Sequence, residues 1–131
     1  MVGHAQDFEG MTGVTALLFP QGARAGCFVG GFATGSRELD ALKPEHPVPF
    51  VHGAMIAGGS AYGLEAARGV MDYLEEQGVG LSVAGTLVPI VPAAIIFDLS
   101  FGDSRARPRG DMGYQAACQA KAEPPSQGSV G

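Results

Sequence analysis

Between residues 60 and 77, Leu64, Ala67, Met71 and Leu74 recur at three- and four-residue steps and form one apolar stripe. Glu65, Arg68, Asp72, Glu75 and Glu76 fall largely off it. This period predicts an amphipathic helix over about 60–77, stopped by Gly78. Gly63 and Gly69 oppose it, since each weakens a helix by about 1 kcal/mol relative to Ala. Close contact with a neighbouring element is the expected compensation. Just upstream, the apolar run Ala54–Ala57 reads as a strand that meets Gly58-Gly59-Ser60 and passes straight into the helix. A strand–glycine–helix junction gathers free backbone N–H groups, a hydroxyl and a positive dipole end at one spot. It suits an anion or a developing oxyanion. It is also how ordinary α/β proteins turn a corner.

The remaining pattern alternates strands and helices. Gly13–Phe19 has the β-branched and aromatic character of a buried strand, and Pro20-Gln-Gly22 supplies turn chemistry. Ala23–Phe32 then reads as a returning strand, which predicts an antiparallel hairpin. No element is expected before His4. Residues 33–50 read as a long loop with one helical turn, of a length that usually covers a site or an interface. In the apolar stretch Leu87–Leu99, Pro89 and Pro92 cannot donate to a ladder, so its first half reads as an edge or an extended passage. Ala93–Phe97 follows as a strand buried on both faces and ending at Asp98. A basic surface loop comes after Gly102, and a short helix is expected from about Asp111, which can cap it, to Cys118. The rhythm is not a clean βαβ repeat, which favours a layered α/β sandwich over a doubly wound sheet. Residues 1–122 make one domain, and 123–131 (Glu-Pro-Pro-Ser-Gln-Gly-Ser-Val-Gly) read as an exposed Pro/Gly/Ser-rich tail leading to a missing continuation.

Composition narrows the function. At 131 residues and 46% hydrophobic, the chain can bury a core, and no apolar run approaches the ~20 residues of a membrane span. A net charge of −5 disfavours nucleic acid and anionic membranes as partners. The first ten residues do not read as a signal peptide, and Cys27 and Cys118 are too few for a disulfide framework. Both cysteines sit in apolar contexts and read as buried free thiols of a reducing, cytoplasmic compartment.

Four chemistries can be weighed against plainer readings. Ser60 lacks the second glycine of a nucleophile elbow, since Tyr62 stands in its place, and His4, His46 and His52 all precede it. A helix N-cap is the plainer reading of Ser60. Neither phosphate-loop fingerprint fits, because Leu64 and Glu65 replace Lys and Ser/Thr in one and Ser60 replaces a glycine in the other. His46 and His52, six apart, do not make a metal pair, so solvated or core-satisfied histidines are expected, with no metal and no cofactor. Asp98, at a strand end, reads as the cap of a neighbouring turn before it reads as the orienter of a base. Tyr62 and Phe97 read as core aromatics unless the junction lines a cleft.

The segments Gly58–Met71, Val88–Leu99 and Gly113–Cys118 together resemble the L-aminopeptidase/D-esterase (DmpA-type) family of self-processing N-terminal-nucleophile hydrolases. That family also includes β-peptidyl aminopeptidases and a nylon-oligomer hydrolase. Gly13-Val-Thr, Pro20–Gly26, Gly30-Gly31 and Thr34–Asp40 extend the likeness over nearly the whole chain. The resemblance implies a four-layer αββα sandwich of the DmpA/ornithine acetyltransferase type, of which this chain supplies the N-terminal portion. It implies a precursor that cuts itself before a Ser or Thr, whose hydroxyl then attacks while its new α-amine serves as base. Substrates would be peptides, amides or esters with a free N-terminal amine.

The family's nucleophile and its assistants lie beyond the point matching Gly128–Gly131, so no catalytic residue maps onto this chain. A cut at Gly128-Ser129 is rejected, because only three residues would follow it. Where several relatives place an active-site Tyr before Asp, Phe97-Asp98 stands here, which removes a hydrogen-bond donor and leaves an apolar wall. The substrate-binding residues so expected are Gly58, Gly59, Ser60, Tyr62, Phe97 and Asp98. The expected partners are the C-terminal chain of the same precursor, a small peptide or amide, and further copies in a homo-oligomer of αβ units. A non-catalytic scaffold of the same fold, and a Ser60 hydrolase, are the alternatives.

Overall fold

A computed structural model describes residues 1–48 and 50–131. Its strands are β1 (Val2–Asp7), β2 (Thr12–Ala23), β3 (Ser36–Arg37), β4 (Val51–Ala57), β5 (Leu81–Val83), β6 (Thr86–Val88) and β7 (Ala93–Ile95). The helices are α1 (Ala66–Glu76) and α2 (Gly110–Cys118), with 3-10 turns at Leu39–Leu42 and Ser60–Glu65. Five strands form one mixed sheet in the order β1-β2-β4-β7-β3, and β5 and β6 make a separate hairpin. Among the described residues, no helix is long and apolar enough to cross a membrane.

Several expectations need correction. An element does precede and include His4: β1 pairs antiparallel with β2, placing His4 opposite Thr15. The reversal is made by Asp7, whose Oδ1 accepts from the N–H groups of Glu9 and Gly10 at 3.0 and 2.9 Å. Pro20-Gln-Gly22 is not a turn, because β2 runs through it with a register irregularity between Leu18 and Ala23 against β4. The expected returning strand at 23–32 is absent, and residues 24–35 carry no helix or strand. β4 supplies β2's second partner instead. The strand beginning at Ala93 is not buried on both faces: Ala93 is buried, but Ala94 is exposed and pairing ends at Ile95. The two thiols are free but exposed, since Cys27 lies in the irregular segment and Cys118 ends α2 on its outer side.

The helix forecast holds in its stripe and its end. Ala67 and Leu74 are buried, Leu64 and Met71 pack against them, and Gly78 leaves the helix with φ +72°. Its first turn is 3-10. Compensation for the glycines is visible too. A Cβ on Gly69 would run into the Gly110 carbonyl, one on Gly113 into the Ala66 carbonyl, and one on Gly3 into the Ala116 carbonyl. Both helices therefore press backbone against backbone, α1 on α2 and α2 on β1. Tyr73 and Tyr114 meet edge to face at 5.7 Å across the same seam. Tyr114 donates to Glu76 Oε2 at 2.5 Å, and that bond to a carboxylate raises the phenol to about 12.

The core lies between this helical layer and one sheet face, built from Val14, Ala16, Leu18, Met55, Ala57, Val70, Leu74 and Val91. His52 is buried as well, on the other face of β4, which alternation shares with Ala54 and Ile56. Its Nδ1 accepts from the Ile90 N–H at 3.1 Å, and burial lowers its pKa. This is the core-satisfied histidine that the spacing suggested, whereas His46 is exposed. Strand alternation sends Leu17, Thr15, Ala54, Ile56 and Ala94 to the opposite face. No helix or strand of the described residues covers that face, and Ile56 is 44% exposed.

Candidate active site

Three strand ends converge where β4 stops. Gly58 N donates to the Gly13 carbonyl of β2 at 2.9 Å, and Ser60 N donates to the Ile96 carbonyl just past β7 at 3.1 Å. Between them, Gly59 N donates to Asp98 Oδ1 at 2.6 Å, while Asp98 Oδ2 accepts from Thr12 Oγ1 at 2.7 Å. One carboxylate thus ties together the corner, β2 and the segment after β7. Glycine is required here for space and for conformation. A Cβ at Gly58 would collide with Asp98 Oδ2 and Thr12 Oγ1, and one at Gly63 with the Gly58 carbonyl. Gly59 has φ +79°, and Ser60 holds a left-handed φ of 52° that a side chain rarely adopts.

The junction therefore does not offer free N–H groups at residues 58–60. All three are spent, and the negative group that such a corner attracts is Asp98 itself. Asp98 caps the turn, as a strand-end carboxylate was expected to do. Ser60 is not an N-cap: Gly59 takes the cap position, and no side-chain cap bond forms. Nor is Ser60 paired with a histidine. His52 is the second residue of β4 and lies about 16 Å from its far end at ~3.3 Å per residue, and its Nδ1 is engaged with Ile90.

The structure brings Gly58, Gly59, Ser60 and Asp98 into one hydrogen-bonded corner, with Phe97 beside Asp98 and Tyr62 one residue-pair along the 3-10 turn. The two aromatics are not core residues. Tyr62 is 57% and Phe97 67% exposed, and Ile96 and Phe101 are exposed with them. They make an apolar wall around the corner. Sequence reasoning missed Thr12, whose role depends on a partner 86 positions away, and Arg107, whose guanidinium lies 3.6 Å over the Tyr62 ring. The arginine-rich run after Gly102 was the available signal for Arg107. Two grooves of about 470 and 300 Å³ lie along β1 and the chain's last residues; the smaller reaches Thr12 and Phe101, and neither is lined by any of the six expected residues. Among the described residues, no group of three His, Cys, Asp or Glu side chains could hold a metal ion.

Residues 1–131 match the family described as peptidase family S58. The chain is 51% identical over 108 residues to an uncharacterized aminopeptidase of Mycobacterium leprae, covering 82% of this chain and 30% of that protein. Identity is 47% over 119 residues to an uncharacterized aminopeptidase of Mycobacterium tuberculosis, covering 91% of this chain and 34% of the relative. It is 34% over 116 residues to a 6-aminohexanoate-oligomer endohydrolase of Paenarthrobacter ureafaciens, covering 88% and 30%. The chain spans about a third of the length of these relatives.

Proposed function

The chain belongs to peptidase family S58, and from that premise we propose that it is the N-terminal part of a self-processing hydrolase. Its attacking Ser or Thr would head a C-terminal chain of the same precursor. The substrates would be short peptides, amides or esters with a free N-terminal amine. In that reading the nucleophile's own α-amine, which titrates near neutrality, takes the hydroxyl proton as the hydroxyl attacks the carbonyl. The acyl intermediate is then released by water. This chain supplies a rigid corner and the apolar wall of Phe97, Ile96 and Tyr62 that holds the substrate.

The observation that carries the reading is the one-sided sheet. Helices cover one face, while the other bears half-buried Leu17 and Ala54 and exposed Ile56 and Ala94, with Gly131 against Thr15 and His4 at its edge. A second sheet laid there would complete a four-layer αββα sandwich. His4 lies on the same face. Its Nδ1 is bonded to Thr15 Oγ1 at 2.9 Å, yet its buried Nε2 has no partner among the described residues. A covering layer would satisfy that nitrogen.

The test is expression of the gene with whatever follows Gly131. Mass spectrometry is expected to find two copurifying chains, the second beginning with Ser or Thr. Release of p-nitroaniline from small aminoacyl p-nitroanilides should accompany it, and Ser60→Ala should leave turnover largely in place. A single uncut chain that is inert toward these amides would overturn the reading and leave a non-catalytic scaffold.

A further inference from the structure

Arg107 is held in place from three sides. Pro108, next to it, is fully buried, and a Cβ at Gly59 would lie 2.8 Å from Pro108 Cδ and 3.5 Å from Arg107 Cα. The absent side chain of Gly59 is what lets this segment cross directly over the corner. Arg107 Nε donates to the Ser104 carbonyl at 2.9 Å, and the guanidinium lies 3.6 Å over the Tyr62 ring. Stacking and the Nε bond fix the plane of the fork before any ligand arrives. What the fork lacks is an anion. The ion pairs of the described residues join Lys43 to Asp40, Arg68 to Asp72 and Arg105 to Asp103, and none involves Arg107. Asp98, the carboxylate of the corner, has both oxygens engaged by Gly59 and Thr12.

An arginine with a fixed plane, unpaired Nη groups and an apolar wall beside it has the chemistry of a carboxylate receptor. We propose that Arg107 determines specificity by binding a carboxylate of the substrate, so that the site prefers short peptides ending in a free carboxylate over the same peptides ending in an amide. This rests on the hydrolase reading above. Arg107 touches no reacting bond in this scheme. It orients the far end of the substrate while Phe97 and Ile96 flank the middle. Tyr62 supports the fork, and a lysine at 107 would keep the charge but lose the fixed two-pronged geometry.

The experiment uses the processed two-chain protein and two substrates, Ala-Ala with a free C-terminus and Ala-Ala amide. The wild type is expected to favour the free carboxylate by about tenfold or more in kcat/KM, the range of a charge-assisted bidentate contact. Arg107→Met should raise KM for the carboxylate substrate about tenfold, leave its kcat within about twofold, and raise KM for the amide substrate far less. Arg107→Lys should recover part of the preference. Circular dichroism melting of each variant reports on folding. Equal losses on both substrates would mean that Arg107 only props the loop against Tyr62, and the inference falls while the hydrolase reading stands. A wild type that does not discriminate overturns it in the same way. If the wild type cleaves neither substrate nor any p-nitroanilide, both readings fall together.

Discussion

The two faces of the five-stranded sheet differ in what is fitted against them rather than in what they are made of. Toward the helices, Val14, Leu18 and Met55 meet Val70 and Leu74, and glycines let backbones touch at Gly3, Gly69 and Gly113. Toward the open side stand Leu17, Ala54, Ile56 and Ala94, with exposed Ile96, Phe97 and Phe101 near the strand ends. The covered side is ordered by closeness of fit as well as by buried area, and at its glycine contacts one added methyl has nowhere to go. The open side has surface to bury and no fixed fit of its own. One face specifies this chain's fold, and the other carries no helix or strand of the described residues.

The strongest way to break that contrast is Gly69→Val. Its new side chain meets the Gly110 carbonyl and Tyr114 N, so the helix pair must separate. A loss of about 3 kcal/mol or more is expected, at the upper end for overpacking, read as a collapse of the urea midpoint. Next comes Asp98→Ala, which strands the Gly59 N–H and the Thr12 hydroxyl in a partly buried corner. It should cost about 1–3 kcal/mol and make turnover more sensitive to temperature. Ile56→Asp sharpens the comparison from the other side. On a position 44% exposed it should change the stability of this chain by no more than about 0.5 kcal/mol, yet a pull-down should show loss of the C-terminal chain.

The smallest effect is a pH dependence from His52. Burial lowers its folded pKa below the ordinary 6.5. Above 6.5 both states are neutral and the full stability is present. As pH falls below that value, the unfolded chain takes a proton that the folded chain refuses, so stability declines toward the lowered folded pKa. The urea midpoint should drop modestly between pH 7.5 and 5.5, and His52→Gln should flatten that drop.

Legibility followed the range of the interactions. Helix α1 could be read because its stripe and its Gly78 stop are local, and the glycines' need for a close neighbour followed from their own cost. Strand β1 was hidden, because Val-Gly-His-Ala-Gln-Asp mixes polar and small residues and is held by pairing rather than by propensity. The β5–β6 hairpin was also missed. Its turn puts Ala84 and Gly85 at φ 49° and 83°, a geometry whose usual marker is Asn-Gly. Pro20 misled the reading of β2, where an irregularity absorbs it. At the corner, the glycines announced a tight junction, but what fills it came from Asp98, 39 positions away. Apolar character pointed Tyr62 and Phe97 to a core, and the structure leaves both exposed beside the corner.

That corner has one more consequence. By carrying its own fixed counter-ion, the Gly58–Ser60 bend is already neutralised from within. Sulfate or phosphate in a buffer would have to evict a tethered residue to settle on Gly59, and therefore finds no foothold there. An inhibitor aimed at this region should be cationic or uncharged where it meets Asp98, and should keep its negative group for the guanidinium across the bend.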